Sequence, residues 1–278
     1  MLKLILLAGI AAVLASTGAL GAAALAAPCP GVDKGLPSLP RARFEDGPML
    51  STVDLVSDLD GWLSEIRALN PDLSVRTDPQ ALSRETARVR RSLTHPMSRR
   101  EAWKHFTLLN PFLGDGHSAI QMPDYREALQ AYVGGGGKIV PIEVRFGADK
   151  SLRVFATAKG VAEIEPGDRV DAVNGHPAAL LVREMMRRSP GDTAAQRQAW
   201  MARRFAALYR LLYGDTGYYD LTFTHAGSTC TRLVRTAGAT ALPLSVQPQP
   251  AAQDLFAWRV FDAGVGYFIG AKNFRFPG

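Results

Sequence analysis

The sequence predicts an α+β protein, and three observations carry that prediction. Apolar residues recur at helical spacing from Val53 to about Leu109. From Lys138 the period shortens toward two, and turn signals cut the chain into short runs. The helical pattern then returns between Pro177 and Tyr213, and strand patterns resume after it. Runs of helices beside runs of strands are the α+β arrangement.

The chain opens with Met1-Leu-Lys3 and an apolar, alanine-rich stretch from Leu4 to Leu25. Ala24-Leu25-Ala26 fits the small-x-small rule, so cleavage after Ala26 and export are expected. An uncleaved anchor is the runner-up, because the stretch is nearly long enough to span a bilayer. Pro28 argues against reading Cys29 as a lipoprotein cysteine. The expected location is the periplasm or beyond, and the only expected membrane contact is the signal peptide itself, if uncleaved. Removing it leaves about 250 residues, enough for one large domain or two to three small ones. The net charge is +6. Part of the basic excess sits in Arg88-Val-Arg-Arg91 and Arg99-Arg100, which fits a solvated helical face, so nucleic acid is not an expected partner. The two cysteines are Cys29 and Cys230. An oxidising compartment permits a disulfide between them, whereas two cysteines without ligand histidines make no zinc site.

The elements follow in order. Pro28 to Met49 is rich in Pro and Gly and reads as an irregular lead-in. Ser51 or Thr52 caps a first helix carrying Val53, Leu59 and Ile66, which ends before Asn70-Pro71. Asp78-Pro79 opens a second helix with Leu82, Val89 and Leu93. Ser98 and Glu101 form a capping box for a third, which carries Trp103 and Leu109 and closes at Asn110-Pro111. Gly134-Gly-Gly-Gly-Lys138 lacks the spacing and the following Ser or Thr of a phosphate loop, and reads as a flexible hinge. Ile139 to Phe146 and Leu152 to Thr157 form a hairpin. Pro166-Gly167-Asp168 is a turn, Val170 to Val173 a strand, and Asn174-Gly175 a second turn. Helices are expected from Pro177 to Arg188 and from Thr193 to Tyr213, then strands at Tyr218–His225 and Cys230–Val234. Trp200, Trp258 and the tyrosines near Tyr218 read as core. Gly264-Val-Gly-Tyr-Phe-Ile-Gly270 is a buried-strand pattern.

One stretch stands out as a site. Leu113-Gly-Asp-Gly-His-Ser-Ala-Ile120 is a tight turn that presents His117 before a short strand. Two glycines give positive φ, and Asp115 fixes the turn through its own backbone. An imidazole on a pinned turn is a candidate general base, since its proton affinity lies near neutrality. The alternative is that Asp115 and His117 lock a loop.

The order of these pieces resembles the tail-specific, or C-terminal processing, serine peptidases and their tricorn-like relatives. Leu113-Gly-Asp-Gly-His-Ser is similar to a Leu-x-Asp-Gly-His-Thr pattern in the family's N-terminal part, with Ser118 for Thr. Gly167-Asp-Arg-Val-Asp-Ala-Val-Asn-Gly175 is similar to its PDZ-like module, and Val265-Gly-Tyr-Phe-Ile to the first strand of its protease core. The resemblance implies a signal peptide (1–26), a lead-in (27–49) and a helical domain (50–133). A PDZ-like module with a helical insertion (134–236), a linker (237–263) and the start of an α/β protease core (264–278) follow. It also implies peptide-bond hydrolysis through an acyl-enzyme, with protein or peptide substrates that include C-termini and with no cofactor or metal. No serine follows Ser245, and no Gly-x-Ser-x-Gly elbow occurs. The sequence is therefore expected to be a fragment that lacks the nucleophile and is inactive alone. His117 would be the base in relatives that use a histidine; others use a lysine of the core. In the PDZ-like module an open sheet edge would take a peptide as an added strand. Gly167, Asp168, Asn174 and Gly175 are expected to make turns. The rival function is a non-catalytic periplasmic peptide-binding protein.

Overall fold

The computed structural model describes residues 27–29, 38–40, 47–69, 73–75, 77–116, 118–121, 125–241, 256–260 and 266–270. Residues 1–26, where a signal peptide was expected, His117 and the end of the chain past Gly270 lie outside them.

Helix α1 (Thr52–Leu69) starts where the Ser51 hydroxyl accepts the Asp54 N–H at 3.1 Å. The Asp78 carboxylate accepts the N–H groups of Gln80 and Ala81 and starts α2 (Pro79–Ser92). Ser98 caps α3 (Arg99–Phe106). The third helix is shorter than its apolar pattern suggests, because the chain tightens into a 3-10 turn over Thr107–Phe112. Thr107 donates its hydroxyl to the Trp103 carbonyl at 2.6 Å, and Pro111 has no N–H to continue the α ladder. Strands β1 (Met49–Leu50) and β2 (Met97–Ser98) pair at the entrances of α1 and α3. Leu55, Leu59, Leu82, Val89, Leu109 and Leu113 form the buried core of this part.

Helix α4 (Tyr125–Gly134) follows the candidate turn. The glycine run after it, expected from composition to be a flexible hinge, is a turn whose N–H groups at Gly135, Gly136 and Gly137 bond back to carbonyls of α4. A Cβ on Gly137 would stand 2.5 Å from the Tyr132 ring. The Tyr132 hydroxyl donates to the Asp215 carboxylate, and the Tyr219 hydroxyl donates to the Lys138 carbonyl at 3.2 Å.

The main sheet is built from β3 (Ile142–Phe146), β4 (Leu152–Thr157), β5 (Arg169–Val173), β6 (His176–Pro177), β7 (Tyr218–Thr224) and β8 (Arg232–Ala237). Its order is β3-β4-β5-β7-β8, antiparallel throughout, with β6 paired beside β5. An isolated bridge between Ile139 and Ala239 brings the two outer strands' extensions together. Between β6 and β7 run α5 (Ala178–Met186), α6 (Ala194–Arg203) and α7 (Phe205–Tyr213). The expected helix from Thr193 to Tyr213 thus divides in two. Arg204 leaves helical geometry at φ −114° and ψ 11°. Val144, Val154, Met185, Phe205, Tyr219 and Phe223 anchor the core between sheet and helices. Tyr219 is fully buried, but Tyr218, read as core, is 53% exposed. Trp200 is half-buried, with the Arg204 guanidinium 4.4 Å from its ring centre.

The lead-in is not wholly irregular. Cys29 forms a disulfide with Cys230. Its N–H donates to the Thr231 carbonyl at 2.8 Å, and the Thr231 N–H donates to Ala27 at 2.9 Å. Strands β9 (Phe256–Val260) and β10 (Gly266–Gly270) form a separate antiparallel pair. β9 falls within the stretch read as a linker, and β10 is the Val-Gly-Tyr strand.

Closing a loop across a sequence separation of 201 confines the unfolded chain severely. The chain-entropy relation puts that constraint at about 5 kcal/mol. The Cys29→Ser/Cys230→Ser double variant is expected to lose about 10 °C or more of thermal midpoint, read by differential scanning calorimetry. An unchanged midpoint would show that the hydrogen bonds around Thr231 suffice.

Burial holds the imidazoles of His105 and His176 below the ordinary value of 6.5. A depressed histidine binds protons less readily folded than unfolded. Its contribution to stability is therefore complete above pH 6.5 and declines as pH falls through the folded-state values. The urea midpoint is expected to fall between pH 7.5 and pH 5.5, with a smaller fall in His105→Asn.

Candidate functional site

The Gly-Asp-Gly turn is held from several sides by side chains distant in sequence. The 3-10 turn ends with the Leu113 N–H donating to Asn110 at 3.2 Å, and the buried Thr77 hydroxyl donates to the Leu113 carbonyl at 2.8 Å. Gly114 then takes φ +58°, a left-handed conformation open to glycine at little cost. Gly116 is required for a different reason than the one read from sequence. It does not share the positive φ; it lies against α6, where an added Cβ would meet Gln196 Nε2 at 2.4 Å. Its N–H donates to Asp192 Oδ1 at 2.8 Å, and the Asp192 N–H donates to Gln196 Oε1 at 2.7 Å. Asp115 accepts the Ser118 hydroxyl at 2.7 Å. His117 lies outside the described residues, but both its neighbours are placed.

Ser118 to Ile120 do not enter a sheet, as expected from sequence, but run as irregular chain. Asn110 performs the role a strand partner would have taken. Its Oδ1 accepts the Ile120 N–H at 2.7 Å, and its Nδ2 donates to the carbonyls of Ile120 at 3.0 Å and Arg188 at 2.9 Å. Asn110 has no exposed surface. Sequence reasoning used it only as a helix stop, and missed Thr77, Asp192 and Gln196 altogether. An Asn-Pro pair after a capped helix was the one available signal.

The remaining predicted residues sit elsewhere. Gly167, at φ +100°, donates its N–H to Val154 at 2.8 Å and leads into β5. Asp168 is buried; it accepts the Glu165 N–H at 2.8 Å and pairs with His225 Nδ1 at 2.9 Å. Asn174 (φ +50°) and Gly175 (φ +76°) link β5 to β6, and the Asn174 side chain accepts the Asp220 N–H at 2.8 Å. These bonds tie strand ends to one another and do not reach Asp115. The Asp168–His225 pair was not foreseen. β3, an outer strand, has α6 alongside it, with Cα atoms within 8 Å.

Among the described residues no group of three or more His, Cys, Asp and Glu is arranged to hold a metal ion. No described helix is long and apolar enough to cross a membrane.

No protein-family model and no curated protein matches the chain. Mature CPAF shows a weak structural likeness. The match has a TM-score of 0.40 and 14% identity, over 76% of this chain and 46% of that one. CPAF complexed with lactacystin gives 0.37 and 16%, over 64% of this chain and 34% of that one. A CPAF point mutant gives 0.37 and 18% over the same shares. The chain thus spans less than half the length of each. A likeness this faint assigns no activity to the chain.

Truncating the buried amide of Asn110 would strand two carbonyls and one N–H. Asn110→Ala is expected to cost about 2–4 kcal/mol in chemical denaturation. It should also raise amide exchange at Ile120. Unchanged exchange there would remove Asn110 from the support of the turn.

Proposed function

We propose that the chain is the front part of an exported serine-type peptidase of the tail-specific family, with His117 as general base. One observation carries the reading. The backbone on either side of His117 is fixed by Thr77, Asn110, Asp192 and the apposed Gln196, side chains from separate elements. A connecting loop needs no such restraint, whereas a proton-transfer group works only when held in reach of its partner. The order of the Asp-Gly-His, Gly-Asp-x-Val-x-x-Val-Asn-Gly and Val-Gly-Tyr motifs supports the family. The Cys29–Cys230 disulfide supports an oxidising, exported setting.

In this reading His117 would take the proton from the attacking serine and return it to the leaving amine. The serine belongs to the protease core, of which this sequence holds at most the first strand. Protein substrates would approach from the sheet side, where the PDZ-like module would select extended peptides, C-termini among them.

The test compares the 278-residue chain with the product of the complete reading frame. The shorter chain should not hydrolyse unfolded casein. The complete protein should do so and be blocked by a serine-directed inhibitor. His117→Ala in that protein should lower kcat by at least about a hundredfold with an unchanged melting temperature. Retained turnover would make His117 a loop anchor, and a complete protein without protease activity would end the peptidase reading.

A further inference from the structure

Beside the candidate turn, a cavity of about 420 Å³ opens between the helical part and the α5–α6 region. Its apolar side is formed by Leu108, Pro111, Phe112 and Met186. Arg88, Arg183, Arg187 and Arg197 line the remainder. Only Leu113 separates Phe112 from the Gly-Asp-Gly turn, so the cavity lies next to the segment that carries His117.

Four guanidinium groups here face little opposing charge. Glu85 is the one acid on the lining and sits 3.2 Å from Arg88. Glu184, just behind it, is 3.2 Å from Arg187 and 3.8 Å from Arg183, but also serves the buried Arg188 at 3.1 Å. Arg197 donates to the Gly191 carbonyl at 3.1 Å. Four arginines against two glutamates leave a local excess of positive charge. Arg88, Arg183 and Arg187 are between 50% and 69% exposed, so their ion pairs are weak and readily exchanged for a better acceptor. A guanidinium has five donors, and one intramolecular partner uses only part of them.

We propose that this cavity is a docking site for an acidic peptide segment, one that places an apolar side chain on the Phe112–Met186 floor between two or more carboxylates. Charge complementarity argues for carboxylates, which arginine grips bidentately. The number of arginines argues for more than one, since a single carboxylate is satisfied by a single guanidinium fork. The apolar floor argues against a bare inorganic anion, which would leave that surface wet. The volume lies within the ~300–1,000 Å³ range of ligand sites. The site selects side-chain carboxylates within a segment and does not depend on the role of His117.

The probes are fluorescein-labelled Glu-Asp-Leu-Phe-Glu-Asp peptides with both termini blocked, so that no terminal carboxylate is present. They are titrated by anisotropy into the disulfide-bonded protein. The acidic peptide should bind at least tenfold tighter than its Gln/Asn analogue and weaken as salt rises. A version with both apolar residues changed to Ser should also weaken at least fivefold. Arg88→Glu/Arg183→Glu should abolish binding of the acidic peptide and gain binding of the Lys-substituted peptide, with an unchanged melting temperature. Equal affinity for acidic and amide peptides, or indifference of the charge-reversed variant, would overturn the proposal. Full competition by inorganic phosphate at the peptide's own concentration would show a plain anion site and overturn it as well.

Discussion

The side-chain amide of Asn110 joins three segments that no stretch of regular structure connects. From the 3-10 turn it reaches Ile120, beyond the Gly-Asp-Gly turn, and Arg188, just past the end of α5. It does so without exposure to water, where an amide lacking partners would be costly. The three segments must therefore keep one mutual arrangement for all three bonds to persist. Thr77 and Asp192 refine the position of the turn. The amide fixes the frame within which they act.

The same economy governs the other junction between helical and sheet parts. Tyr132 and Tyr219 converge on Asp215 and on the backbone of Lys138, and the Arg210 guanidinium stacks 3.7 Å from the centre of the Tyr132 ring. Asp215 also accepts the Gly217 N–H at 2.6 Å. Burial pushes the Tyr219 hydroxyl far above its ordinary range, so it remains a donor. Apolar packing supplies bulk cohesion, but it is nearly indifferent to rotation. Directional polar contacts select one orientation of the two parts.

What was legible in the sequence was local. Ser51, Asp78 and Ser98 cap helices because a short oxygen-bearing side chain next to an apolar periodic run has few other uses. Alternation in Tyr218–Thr224 and the Asn174-Gly175 turn also act within a few residues. The interactions that build the candidate site do not. Asn110 meets Arg188 across 78 positions and Gly116 meets Asp192 across 76; away from the site, Asp168 likewise meets His225 across 57. Such pairings leave no period in the chain. The glycine run before Lys138 shows the converse error: composition suggests mobility, whereas at Gly137 the Tyr132 ring makes glycine a matter of space. Arg204 divides one apolar stripe into two helices, and a stripe alone does not reveal the break.

The covalent tie between Cys29 and Cys230 has a bearing on how a newly made chain matures. Position 29 emerges early and position 230 late, so no shorter nascent chain can close the link. Every element from α1 through β7 must be present before the loop exists. The bond thus reports that everything it encloses has been synthesised, because it cannot form on a chain that stops short of Cys230.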